Sequence, residues 1–171
     1  VWKICRNGDF LYRTITVERP LKLNFQASPE RSERVFEQKA VQKLSTVDQD
    51  RLTDALGTLG AGLVMSRAEF TKLVDRALRE SQLKLAAPVK KAVLAALSEQ
   101  DDTAEICTDA KGRPEADPSL RDTENVPWAE DVDAYFDREV RPYAPEAWID
   151  HAKTKEGAEI CLLYTSPSPR D

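Results

Sequence analysis

The stretch RNGDFLYRTITVERPLKLNF, residues 6–25, decides how the rest of the chain is read. Asn7-Gly8 is a strong turn signal, because both central residues of a type I′ turn need positive φ. It stands between VWKIC and FLYRTITVE, two runs rich in β-branched and aromatic residues, and a β-hairpin is the expected result. Along the second run Phe10, Tyr12, Thr14 and Thr16 face one way, and Leu11, Arg13, Ile15 and Val17 the other. Both sets are partly apolar, which predicts cover on both faces. A lone hairpin is marginal in water, and the chain beyond Phe25 reads as helix rather than further strand.

Ser28-Pro29 is a cap followed by a first-turn proline and introduces ERSERVFEQKAVQKL as one helix. Thr46-x-x-Gln49 and Ser66-x-x-Glu69 fit the capping box, in which two orphan backbone donors are satisfied reciprocally. After the second box Phe70, Leu73, Val74, Ala77 and Leu78 form one apolar stripe at helical spacing. Pro88 opens another helix, with Val89, Ala92, Val93, Ala96 and Leu97 on one side. From Asp101 to Pro127 the prolines, a Lys-Gly turn and dense acids predict a long irregular, solvated loop. WAEDVDAYFDREV then resumes helical spacing through Val132, Tyr135, Phe136 and Val140, until Pro142 and Pro145 end it. A short strand-like piece comes next, broken by Gly157.

At 32% charged and 41% hydrophobic, 171 residues describe a globular chain, and no apolar run approaches the ~20 residues of a membrane span. No signal-peptide pattern stands at the start. Cys5, Cys107 and Cys161 are far apart and there is one histidine, His151, so neither a disulfide framework nor a zinc site is indicated. A cytoplasmic setting with inert thiols is expected. The net charge of −5 is unevenly spread: residues 1–98 carry 17 Lys/Arg against 11 Asp/Glu, residues 99–139 carry 4 against 14, and the remainder 4 against 5. Clustered Lys and Arg attract phosphate backbones. Arg13, Arg19 and Lys22, interleaved with Phe10 and Tyr12, are therefore the candidate DNA-facing or partner-facing residues.

No stretch carries the pattern of an active site. GTLGAGL, residues 57–63, follows helical rather than strand spacing, so its glycines read as an interhelical loop and not a dinucleotide cradle. DDTAEICTDAKG lacks the alternating ligand spacing of a calcium loop. There is no G-x-S-x-G elbow, and His151 has no nucleophile near it in sequence. Catalytic, cofactor-binding and metal-ligating residues are all expected to be none.

Two regions resemble a known family: YRTITVERPLKLNFQASPERSERV, and the run from DDTAEICTDAKG through DTENVP, EDVDAYFDREV and AWID to KTKEGAEI. Together they are similar to the part of the modification (M) subunit of bacterial type I restriction–modification systems that follows its catalytic domain. The resemblance implies a parent that transfers a methyl group from S-adenosyl-L-methionine to adenine N6. It implies partners in the specificity and restriction subunits, and double-stranded DNA gripped through the complex. The family's Asn-Pro-Pro-Phe motif, which takes the flipped adenine, does not occur here, so the chain alone is expected to bind no cofactor and to be inactive. Trp128 stands where the family has a smaller aliphatic after NVP. CLLYTSPSPRD, residues 161–171, resembles translated sequencing-adapter read-through rather than the family's continuation.

The expected architecture is α+β and predominantly helical, a fragment of a larger α/β methyltransferase. Residues 1–27 form the hairpin and the seam with the catalytic domain, 28–100 a helical region, 101–127 the acidic loop and 128–160 the C-terminal helix with a strand-like end. Residues 161–171 are expected to be a disordered, non-native tail. A stand-alone helical adaptor unrelated to methylation is the competing expectation.

Overall fold

The computed structural model describes residues 10–158. It is an α+β chain with no helix long and apolar enough to cross a membrane among those residues. The chain divides into two compact units, one of Val1–Arg19 with Ala116–Asp171 and one of Pro20–Glu115.

In the first unit β1 (Leu11–Glu18) is the central strand. The Asn7-Gly8 turn and the VWKIC strand lie outside the described residues. The ladder of β1 comes from far along the chain. On one edge runs β4 (Asp122–Pro127), antiparallel, with Ile15 opposite Glu124 and Arg13 opposite Val126. The other edge is shared by β5 (Trp148–Ile149), opposite Val17 and Glu18, and β6 (Lys155–Ala158), opposite Leu11 to Thr14. The expectation that helices rather than further strands follow β1, up to a strand-like end, is thus corrected. The last six residues of the 101–127 loop form a strand, because Asn125, Val126 and their neighbours can alternate against β1 despite the acids around them.

Ile15 and Val17 point to the face covered by α6 (Val132–Glu139), where they meet Val126, Phe136 and Ala147. Asp131 caps that helix by accepting from the Ala134 amide at 3.0 Å. Val132, Tyr135 and Val140 pack at the margin of this core, on the face their spacing predicts.

The second unit holds the larger core. β2 (Leu23–Phe25) pairs with β3 (Ser98–Gln100), two short strands with no sequence signal. Around them lie α1 (Pro29–Glu37), α2 (Lys39–Gln42), α3 (Thr46–Thr58), α4 (Arg67–Glu80) and α5 (Ala87–Ala96). Phe25 stacks on Phe70 with ring centroids 5.1 Å apart, at the centre of a cluster that includes Val35, Val41, Leu52, Val74, Val93 and Leu97.

Several helix boundaries differ from expectation. The single helix over ERSERVFEQKAVQKL is split at Gln38, which is extended. The cap of α3 is Ser45, one residue before Thr46: its hydroxyl accepts from the Asp48 amide at 3.2 Å and donates to the Asp48 carboxylate at 2.8 Å. Gln49 turns back instead to the carbonyls of Val41 and Leu44. Ser66 caps α4 in position but makes no side-chain cap bond. Of the α4 stripe, Phe70, Val74, Ala77 and Leu78 are buried, while Leu73 stays exposed.

The front of the acidic segment is also tied to its neighbours by backbone bonds, while Asp102, Glu105 and most of its other residues stay exposed as expected. The Cys107 amide donates to Leu21 O and the Leu21 amide to Glu115 O, each at 2.8 Å, so the segment runs beside Pro20–Lys22. At its tip Asp109 closes the turn, accepting from the amides of Lys111 and Arg113 and from the Arg113 guanidinium. Gly112 supplies the positive φ of +77° that this turn requires.

Candidate DNA-facing or partner-facing surface

The three cations singled out in the sequence have different surroundings. Arg13 and Arg19 belong to the first unit and Lys22 to the second. Arg13 is half-buried in β1, and its guanidinium lies over the Trp128 ring, 4.4 Å from the centroid. Glu156 of β6 stands opposite it in the ladder. Arg19 follows β1; its carbonyl accepts from the Asp117 amide at 2.8 Å, and its buried Nε has no partner among the described residues. Lys22 bridges to Ile106, and its Nζ donates to the Asp102 carbonyl at 3.3 Å.

Folding also redistributes the charge. Pro20–Glu115 brings the basic stretch together with much of the acidic one, and the unit carries 15 Lys/Arg and 15 Asp/Glu. The described residues of the first unit carry 7 against 12. The basic excess of residues 1–98 is therefore balanced inside the second unit, partly through direct contacts. Glu99 takes Arg31 Nη2 and Arg34 Nη2 on its two oxygens, each at 2.6 Å. Arg67 Nη1 meets Glu115 at 2.8 Å.

Arg31 is the anchor of that network. Buried at the start of α1, it also donates through Nη1 to the Asn24 side chain and the Leu97 carbonyl. Asn24 in turn donates to Asp101 at 2.9 Å. The bond from Arg34, aided by Arg31, holds the Glu99 carboxyl below its ordinary range. Asn24 and Thr103 do the same for Asp101. These groups fasten α1 to the β2–β3 ribbon, and sequence spacing gave no sign of it, because the partners lie 65 to 68 residues apart.

A second cluster sits at the end of β1. Glu18 is 2% exposed, and its Oε1 accepts from Arg121 Nε and Lys153 Nζ, both at 2.8 Å. Lys153 also bonds Asp150 at 2.7 Å, which together with Glu18 pushes the ammonium up and, in return, holds the Asp150 carboxyl down. The second oxygen of Glu18 is buried without a partner among the described residues. Sequence alternation marked Glu18 as a strand residue but carried no hint of its two cations.

Two apolar surfaces remain. Leu11 lies on the same side of β1 as Ile15 and Val17 but outside the core under α6, and with Trp128, whose amide donates to the Leu11 carbonyl and whose ring carries Arg13, it leaves an exposed apolar end of the sheet. In the second unit a cleft of about 350 Å³ is lined by Ala27, Pro29, Phe36, Leu56, Gly57 and Gly60. A Cβ on either glycine would meet nothing within 4 Å, although the φ of +67° at Gly60 favours glycine on backbone grounds.

Among the described residues no group of three or more His, Cys, Asp or Glu side chains is placed to hold a metal ion. His151 is exposed in a single 3-10 turn. Cys107 is buried, which raises its thiol above the ordinary range against the lowering effect of Arg67. No family model matches the chain, and no curated protein or solved structure matches it either.

Proposed function

We propose that this chain is the region following the catalytic domain in the M subunit of a type I restriction–modification methyltransferase. Its role is assembly and DNA enclosure in the cytoplasm, beside the specificity and restriction subunits. S-adenosyl-L-methionine binding and adenine methylation belong to the rest of that parent.

One observation carries the reading. The later resembling blocks, from DTENVP onward, are far from ITVE in sequence yet pack beside it in one unit, whereas PLKLNFQASPERSERV and DDTAEICTDAKG of the same resemblance belong to the other unit. ITVE of ITVERPL lies in β1, DTENVP is β4 beside it, EDVDAYFDREV supplies the α6 that covers both, and AWID and KTKEG supply β5 and β6 on the far edge. Their packing into one sheet and its covering helix is what supports the reading. The Glu18 cluster, joining ITVE to KTK through Lys153, ties the same blocks by charge.

The genomic reading frame ahead of Val1 tests this directly. An open frame encoding Asn-Pro-Pro-Phe is the expected result. An in-frame stop followed by a start codon would instead establish the helical adaptor. Titration of the isolated chain with S-adenosyl-L-methionine is expected to give only heat of dilution, and micromolar binding would overturn the division of labour proposed.

A further inference from the structure

We draw no further inference here: the strongest candidate, the exposed apolar end of the first unit's sheet formed by Leu11 and Trp128 beside Arg13, has nothing in the structure to show what covers it.

Discussion

The ring of Tyr12 lies across Gly157, its register partner on β6, so closely that a Cβ on the glycine would stand 2.6 Å from two ring carbons. The glycine that reads in sequence as a strand breaker is therefore the place where an aromatic side chain crosses the neighbouring backbone. Gly157→Ala forces the ring aside and is expected to cost about 1–3 kcal/mol, the usual range for overpacking. In a Tyr12→Ala background the same change meets no ring. There it is expected to be neutral or to stabilise by up to about 1 kcal/mol, since glycine weakens strand interiors. Urea unfolding of the four proteins measures the coupling, and a Gly157→Ala cost that persists without Tyr12 would rule out this packing.

The Glu18 cluster predicts non-additivity. Arg121 and Lys153 both serve Oε1 of the same buried carboxylate and are themselves 41% and 45% exposed. Losing either cation leaves the other in place, so Arg121→Met and Lys153→Met are each expected to be mildly destabilising. Losing both strands a buried charge, for which about 3–5 kcal/mol is typical. The double variant should then exceed the sum of the singles in chemical denaturation. Simple additivity would mean that water already screens Glu18.

Acid should loosen the second unit through Glu99 and Asp101. Their carboxyls are held below the ordinary range by Arg34 and Arg31, and by Asn24 and Thr103, respectively. A depressed folded-state value means that the unfolded chain binds protons first as pH falls. The contribution is complete above the ordinary carboxylate range and is lost below about pH 5, progressively through the depressed values. The urea midpoint is expected to fall between pH 6 and pH 3, and Glu99→Gln should lower the midpoint at pH 6 while flattening its pH dependence. An unchanged slope in that variant would remove Glu99 from the account.

Gln82 ends α4 with φ of +53°, the one non-glycine residue with positive φ among those described. The amide of Leu83 reaches back to Leu78 O at 2.9 Å, closing the turn in the way a glycine usually does. Gln82→Gly removes the left-handed penalty and is expected to stabilise by about 0.5–1 kcal/mol. Gln82→Val should destabilise by more than that. Thermal unfolding of the pair checks the sign of each.

Legibility in the sequence followed the range of the interaction. The faces of α4 and α6 were readable because Phe70 with Val74, and Val132 with Phe136, are set by spacing within one helix. The Lys-Gly turn was readable because Gly112 answers a local backbone need. β4 was not, since DTENVP becomes a strand only when β1, more than a hundred residues earlier, offers its edge. The acids there signalled solvent exposure, and that is true of Asp122, but exposure at a sheet margin is compatible with a ladder. The surroundings of the candidate cations were likewise not legible: charge summed along the chain gave no sign that Arg13 lies over the Trp128 ring or that Lys22 donates to the Asp102 carbonyl.

The contacts of Arg13 shape the test of DNA binding. Under the proposed role, charge reversal at Arg13, Arg19 and Lys22 in a complete complex is expected to weaken DNA binding and to flatten its salt dependence by about one unit for each phosphate no longer neutralised. Reversal at Arg13 alone carries a structural side effect, because a carboxylate there would leave Trp128 and face Glu156 across the ladder. The stacking itself is worth about 0.5–1 kcal/mol at an exposed site. Arg13→Gln separates the two effects: it removes the cation without adding a like charge. If Arg13 touches phosphate, Arg13→Gln reduces the salt slope while the melting temperature falls only slightly. If Arg13 serves only to pack Trp128, then Trp128→Ala and Arg13→Gln lower stability together and leave the salt slope unchanged, and the DNA-facing assignment of Arg13 is lost.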